Sequence, residues 1–311
     1  MADNMSLVVG KSLRQQLRHQ VIVLHILVMT FLCINLLLIV IFFKKCFYTT
    51  TRYILFAVTL LSDSLIIILS DVLLLMTHFK FTIQIGLCIV LYFPLALYTL
   101  VTPVTLTAMT LERYVAICMP LRHGELCSTR NTNYCILIIH GLSSIQCIVV
   151  LSIFFTSASL SFYQQNILCS VEIFILYKWQ SHVKSAINQF YFLIMFILIV
   201  SSYVKIIKVA KTASGENKKS TWKGLRTVIL HGFQLLLCLI QLWCPFIEDA
   251  VFQINLLLYG QIRYFNYITF YLAPRCLSPL IYGLRDEKFF LALKDYVLCG
   301  FVKNGSICVK S

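Results

Sequence analysis

Charge is what this chain has least of. Only 12% of its 311 residues are Asp, Glu, Lys or Arg, and the acidic residues number just 12. A soluble domain carries about a quarter of its residues as charges, so a water-facing surface around an apolar core is excluded. The short motifs of the common enzyme classes are missing too. There is no Gly-x-Ser-x-Gly, no His-Glu-x-x-His, no phosphate loop and no Cys-x-x-Cys, and the seven histidines are scattered without metal spacing. We therefore expect no catalytic residues, no cofactor and no metal. Repeats, heptads and low-complexity tracts are absent. No half of the chain repeats the other, which speaks against a transporter built from paired halves.

What is present is apolar length. The chain is 59% hydrophobic with a mean hydropathy of +0.86. About 20 apolar residues cross the ~30 Å hydrocarbon core of a bilayer. That rule predicts seven spans, at about 21–43, 53–76, 88–111, 134–156, 189–210, 227–252 and 262–284. The expected fold class is an all-α membrane protein, a seven-transmembrane helix bundle occupying 1–311 as one domain. Eighteen of the 26 Lys and Arg fall in 44–52, 112–133, 205–226 and the tail at 285–311, against seven on the opposite side. That bias makes those loops and the tail cytoplasmic and places residues 1–20 outside the cell. It also explains the net charge of +14 by orientation and contact with membrane lipid, not by nucleic acid.

Several smaller signals fit this topology. The first apolar run begins at Val21 after a polar stretch, so no cleavable signal peptide is expected. Asn4-Met5-Ser6 is a glycosylation sequon in the outer segment. Beyond the seventh span, Phe289, Phe290, Leu293 and Val297 recur at helical spacing among Lys288, Lys294 and Asp295. They predict a short amphipathic C-terminal helix on the inner leaflet. Cys299 and Cys308 follow it, either as free thiols or as palmitoylation sites.

One stretch is more specific than all of these. Leu111-Glu112-Arg113-Tyr114-Val115-Ala116-Ile117-Cys118 closes the third apolar run and leads into Pro120-Leu121-Arg122-His123. The Glu-Arg-Tyr triplet and its extension resemble the end of the third helix of rhodopsin-like G protein-coupled receptors, and of odorant receptors in particular. Ser278-Pro279-Leu280-Ile281-Tyr282-Gly283-Leu284-Arg285-Asp286 is similar to the odorant-receptor Asn-Pro-x-x-Tyr motif, with Ser278 where the family usually has Asn. Trp243-Cys244-Pro245 resembles the rhodopsin-like Trp-x-Pro switch. The run 225–238 and Pro274-Arg275-Cys276-Leu277-Ser278-Pro279 look most like odorant receptors of fish type. The fifth span lacks the usual proline and the fourth the usual tryptophan, which speaks against a hormone or amine receptor.

The resemblance implies a set of roles. A small-molecule odorant would bind from outside and a heterotrimeric G protein inside, at the plasma membrane. Glu112 would hold Arg113 at rest and release it towards Tyr203, Tyr282 and the G protein, with Tyr114, Trp243 and Pro279 in the same switch. Cys88 lies 25 residues before Arg113, about 37 Å along a helix, as a rhodopsin-like third helix has it. Cys169 is the natural partner for a disulfide. Counting back from Arg113 puts Leu95, Ala96 and Thr99 at ligand depth, with Tyr191, Phe246, Ile268 and Tyr271 facing them. Asn35 and Asp63 match the superfamily's intramembrane polar pair. Arg275 lies one turn before Pro279 and cannot lose its proton, so it needs a partner or water. Either it pairs with Asp63 near Thr102 and Ser278, where relatives often hold a sodium ion, or it faces a water-filled cavity and an acidic ligand. A chemosensory or peptide receptor of the same fold is the alternative function.

Overall fold

The computed structural model describes residues 21–39, 50–213, 229–230 and 232–277. Six of the described helices are long and apolar enough to cross a membrane: Val21–Ile39, Thr51–His78, Ile85–Cys118, Thr129–Ser157, Lys178–Val209 and Gly232–Phe252. A seventh segment starts as the helix Leu256–Asn266, continues through π-helical Tyr267–Leu272 and is again α-helical to residue 277. The expected seven-helix bundle is therefore the architecture. The expected C-terminal amphipathic helix, Asn4, Cys299 and Cys308 lie outside the described residues.

The third span is the axis of the bundle. It runs 34 residues, from Ile85 to Cys118, about 51 Å at 1.5 Å per residue, and so extends past both ends of its apolar run. Glu112 and Arg113 interrupt the hydropathy but not the helix, since neither breaks helical geometry. The stop comes from Pro120, which disfavours helical backbone in the residue before it. Met119 accordingly sits at φ −135°, ψ 56°. A short helix, Pro120–Leu126, follows before Ser128 caps the fourth span by accepting from the Asn131 amide at 3.3 Å.

Two apolar clusters pack on this axis. On the half towards Arg113, named inner after the expected orientation, Leu100, Leu106 and Met109 meet Leu55, Phe56, Ile139, Met195, Ile199, Leu235 and Leu239. On the outer half, Ile85, Cys88, Tyr92 and Leu95 meet Ile66, Val150, Phe154 and Phe174. Lipid tails are as apolar as leucine, so close packing and interhelical hydrogen bonds hold spans together in a bilayer. The third span's threonines fold their hydroxyls back onto the helix: Thr99, Thr105, Thr107 and Thr110 each donate to the carbonyl four residues earlier, at 2.7–3.1 Å.

The structure departs from the expected boundaries at other spans too. The fifth helix starts at Lys178 rather than 189, because its first turns are polar yet anchored by Gln180, whose Oε1 accepts from the Leu176 and Tyr177 amides. The seventh begins at Leu256 rather than 262. A two-stranded antiparallel sheet, unexpected in an all-α reading, pairs β1 (Thr82–Gln84) with β2 (Asn166–Leu168). Directly after β2, Cys169 is disulfide-bonded to Cys88, with Cα atoms 5.5 Å apart. Strand pair and bridge together tie the outer loop to the top of the third span.

Candidate functional site

At mid-depth the spans enclose a polar cluster. Asp63 and Arg275 have 0% and 1% side-chain exposure, and Arg275 Nε lies 3.7 Å from Asp63 Oδ1. Thr102 donates to the same oxygen at 2.9 Å. Arg275 Nη1 donates to the Tyr271 carbonyl and, at 3.4 Å, to Gln241 Oε1 of the sixth span. Its guanidinium carbon stands 4.0 Å from the centre of the Tyr271 ring, a cation–π contact. One permanent cation thus touches the second, sixth and seventh spans, and reaches the third through Asp63. The structure brings Asp63, Thr102 and Arg275 together; Ser278 lies outside the described residues. Asn35 does not join them. It is buried, but its amide makes no hydrogen bond among the described residues.

The inner end presents the charged triplet. Arg113 is 4% exposed. The Glu112 carboxylate is met at 3.3 Å by Nε2 of His123, on the short helix after Pro120. Tyr114 lies under Lys205 Nζ at 5.4 Å. Tyr203 of the fifth span packs on Gly232 of the sixth, where a Cβ would come within 3.4 Å of the ring. Pro279 and Tyr282 lie outside the described residues.

Trp243 sits where the sixth span breaks. Pro245 has no amide proton, and the turn before it tightens. The amides of Leu242, Trp243 and Cys244 donate to Leu239, Ile240 and Gln241, three residues back instead of four. The indole is 39% exposed and packs edge-on against Phe192 and Phe246.

The seven residues expected at ligand depth do not share one wall. Leu95, Ala96 and Tyr271 belong to the outer-half cluster, and Thr99 bonds back to Leu95. Three others are displaced from that role. Tyr191 donates to the Leu142 carbonyl of the fourth span at 2.6 Å. Phe246 is 48% exposed beside Trp243. Ile268 packs with Leu24, Val28 and Ile67 of the first two spans. Phe246 follows the tightened turn before Pro245, and Ile268 lies within the π-helical turn, where α-helical counting does not give the face a side chain presents.

Several groups escaped sequence reasoning. Over the outer half, Phe174 of the loop stacks on Tyr92 at 4.1 Å and lies edge-on to Phe154. Glu172 pairs with Arg263 of the seventh span at 2.5 Å. Burial pushes the Glu172 carboxyl up, but Arg263, with a backbone amide and the Ser170 hydroxyl, outweighs it and holds the group below the usual carboxylate range. Asn266 donates to Glu248 at 3.0 Å, and Ser181 to Asp249 at 2.8 Å. His25 Nδ1 lies 2.8 Å from Asp71, tying the first span to the second. Asp71, Glu248 and Asp249, acids inside apolar runs, were the legible signals among these.

Apolar spans, a disulfide-tethered outer loop, a buried ion pair and a charged triplet at the inner end define a polytopic receptor bundle. Residues 14–282 match the family described as 7 transmembrane receptor (rhodopsin family), and the chain belongs to it. It is 43% identical to Odorant receptor 131-2 of Danio rerio over 222 residues, 71% of this chain and 68% of that one. It is also similar to Galanin receptor 2a of Danio rerio, 29% identical over 63% of this chain and 54% of that one. Galanin receptor 2b of the same species is 27% identical over 70% and 58%.

Proposed function

We propose that this chain is an odorant-type G protein-coupled receptor of the plasma membrane. A small organic ligand enters from the outer side, and a heterotrimeric G protein is activated at the inner side. The observation that carries this reading is the position of Tyr271. Its ring packs in the outer-half cluster with Leu95 and Phe174, and the same ring lies on the Arg275 guanidinium. A ligand that moved this ring would act directly on the cation linking the second, sixth and seventh spans. The wall beside it is aromatic with a few hydroxyls, which suits a small organic molecule, and the likeness to Odorant receptor 131-2 supports the ligand class.

Glu112, Arg113, Tyr114, Tyr203, Trp243, Pro279 and Tyr282 form the coupling set in this proposal. Leu95, Ala96, Thr99 and Tyr271 form the ligand set. Residues 1–20, with Asn4 glycosylated, face outward. A second-messenger assay in transfected cells, run against amino acids, amines, steroids and volatile organics, tests the reading; silence towards all four with normal surface density would overturn it. The likeness to two galanin receptors favours peptides as the second class to test. An epitope at residue 2 should be accessible on intact cells and one at residue 311 should not, and the reverse pattern would discard the receptor reading.

A further inference from the structure

The sixth span is fastened to the seventh by two glutamines that sequence reasoning passed over. Gln234, fully buried, donates through Nε2 to the Pro274 carbonyl at 3.2 Å. Gln241 accepts through Oε1 from Arg275 Nη1 at 3.4 Å. They stand seven residues apart, two helical turns, and so share one face of the span. Their acceptors and donors are neighbours in sequence, Pro274 and Arg275. The roles of the two amides are fixed by chemistry: a proline carbonyl can only accept and a guanidinium can only donate.

Their position gives the contacts a consequence. Gln241 opens the break in the sixth span, where the tightened turn before Pro245 makes bending cheapest. Gln234 lies on the inner segment below the break, two residues from the Gly232 seat of Tyr203. Above the break, Asn266 holds Glu248 and keeps the outer segment on the seventh span. Swinging the inner segment away about the break requires breaking the Gln234 bond first. It also pulls Gln241 off Arg275.

We propose that Gln234 and Gln241 form a two-point latch that sets the resting state, and that they are positioning residues for coupling to the G protein. This rests on the receptor reading above. Interhelical hydrogen bonds in membranes average about 0.6 kcal/mol and reach about 1.7. Losing one should therefore shift the resting equilibrium about three- to twentyfold.

The test uses the full-length receptor in two assays: ligand-free second-messenger output per surface receptor, and the distance between genetically encoded labels at Thr129 and Leu230, both exposed near the inner ends of their spans. Gln234→Met and Gln241→Met should each raise ligand-free output and broaden or shift the distance. Glutamate separates the two sites. Gln241→Glu keeps an acceptor for Arg275 and should hold output at or below wild type. Gln234→Glu removes the Nε2–H that donates to the Pro274 carbonyl and should raise it. Unchanged distances in both methionine variants, or glutamate effects of the same sign at both sites, would overturn the latch. A wild type that never signals, combined with label distances that respond to the substitutions, would keep the latch and reject the coupling partner.

Discussion

Breaking the Asp63–Arg275 pair from either side should be far more damaging than removing both partners. The two side chains are buried at mid-depth with 3.7 Å between Nε and Oδ1. At an effective dielectric of about 20 that separation corresponds to about 4.5 kcal/mol of attraction. Removing one member of a buried pair typically costs about 3–5 kcal/mol, because the other charge is stranded. Arg275→Met leaves a buried carboxylate that still accepts from the Thr102 hydroxyl but has lost its counter-charge. Asp63→Asn leaves a guanidinium with Gln241, the Tyr271 carbonyl and the Tyr271 ring. Each single variant should lower the thermal midpoint of the purified receptor by on the order of 10 °C and cut surface expression sharply. The double variant buries no net charge and should recover part of both losses. It still forfeits the cation–π contact and the Gln241 bond, so full recovery is not expected. The assay is a double-mutant cycle on surface density and thermal midpoint. A double variant as damaged as the sum of the singles would refute the pairing.

Three further outcomes follow from the geometry. Cys88→Ser and Cys169→Ser should each impair surface expression, and the double variant should be no worse than either; additive losses in cell-surface labelling would mean the bridge is not the shared cause. Arg113→Ala should abolish ligand-stimulated second messenger while surface density stays normal, and undiminished signalling would reduce the triplet to an interfacial anchor. Because the Glu172 carboxyl is held low by Arg263, its tether should contribute fully above the ordinary carboxylate range and fade only as pH falls through its depressed value. Protease cleavage within the outer loop should therefore be flat around neutral pH and rise only in acid, whereas Glu172→Gln should be cleaved faster around neutral pH and converge with the wild type in acid.

Much of the fold was legible because a bilayer imposes simple rules. Apolar runs of sufficient length gave all seven spans, since backbone polar groups there must be satisfied within a helix. The ends were harder to read. Hydropathy stops at Leu111, while the helix continues to Cys118 until Pro120 ends it. Lys178 and Gln180 look like loop residues yet open the fifth helix. That Arg275 needs a partner or water could be read from sequence because charges inside spans are too costly to leave alone; Asp63 as that partner came from the family resemblance, beside a water-filled cavity as the alternative. Gln234 and Gln241 could not be read that way, since a neutral amide in an apolar run carries no comparable penalty to announce it. The ligand-depth residues failed for a geometric reason. A π-helical turn or a tightened turn before proline departs from 3.6 residues per turn, so counting along an ideal helix does not give the facing of Phe246 or Ile268.

Arg275 also changes what can vary at the centre of the bundle. A counter-charge that arrives by diffusion occupies its site in proportion to its concentration outside the cell. One attached to the chain has a local concentration set by its tether, here a side chain pinned by the Tyr271 carbonyl, the Tyr271 ring and Gln241. Neutralisation of Asp63 should therefore depend little on the salt of the medium in which the ligand arrives, unlike that of an acid whose counter-ion must be drawn from it.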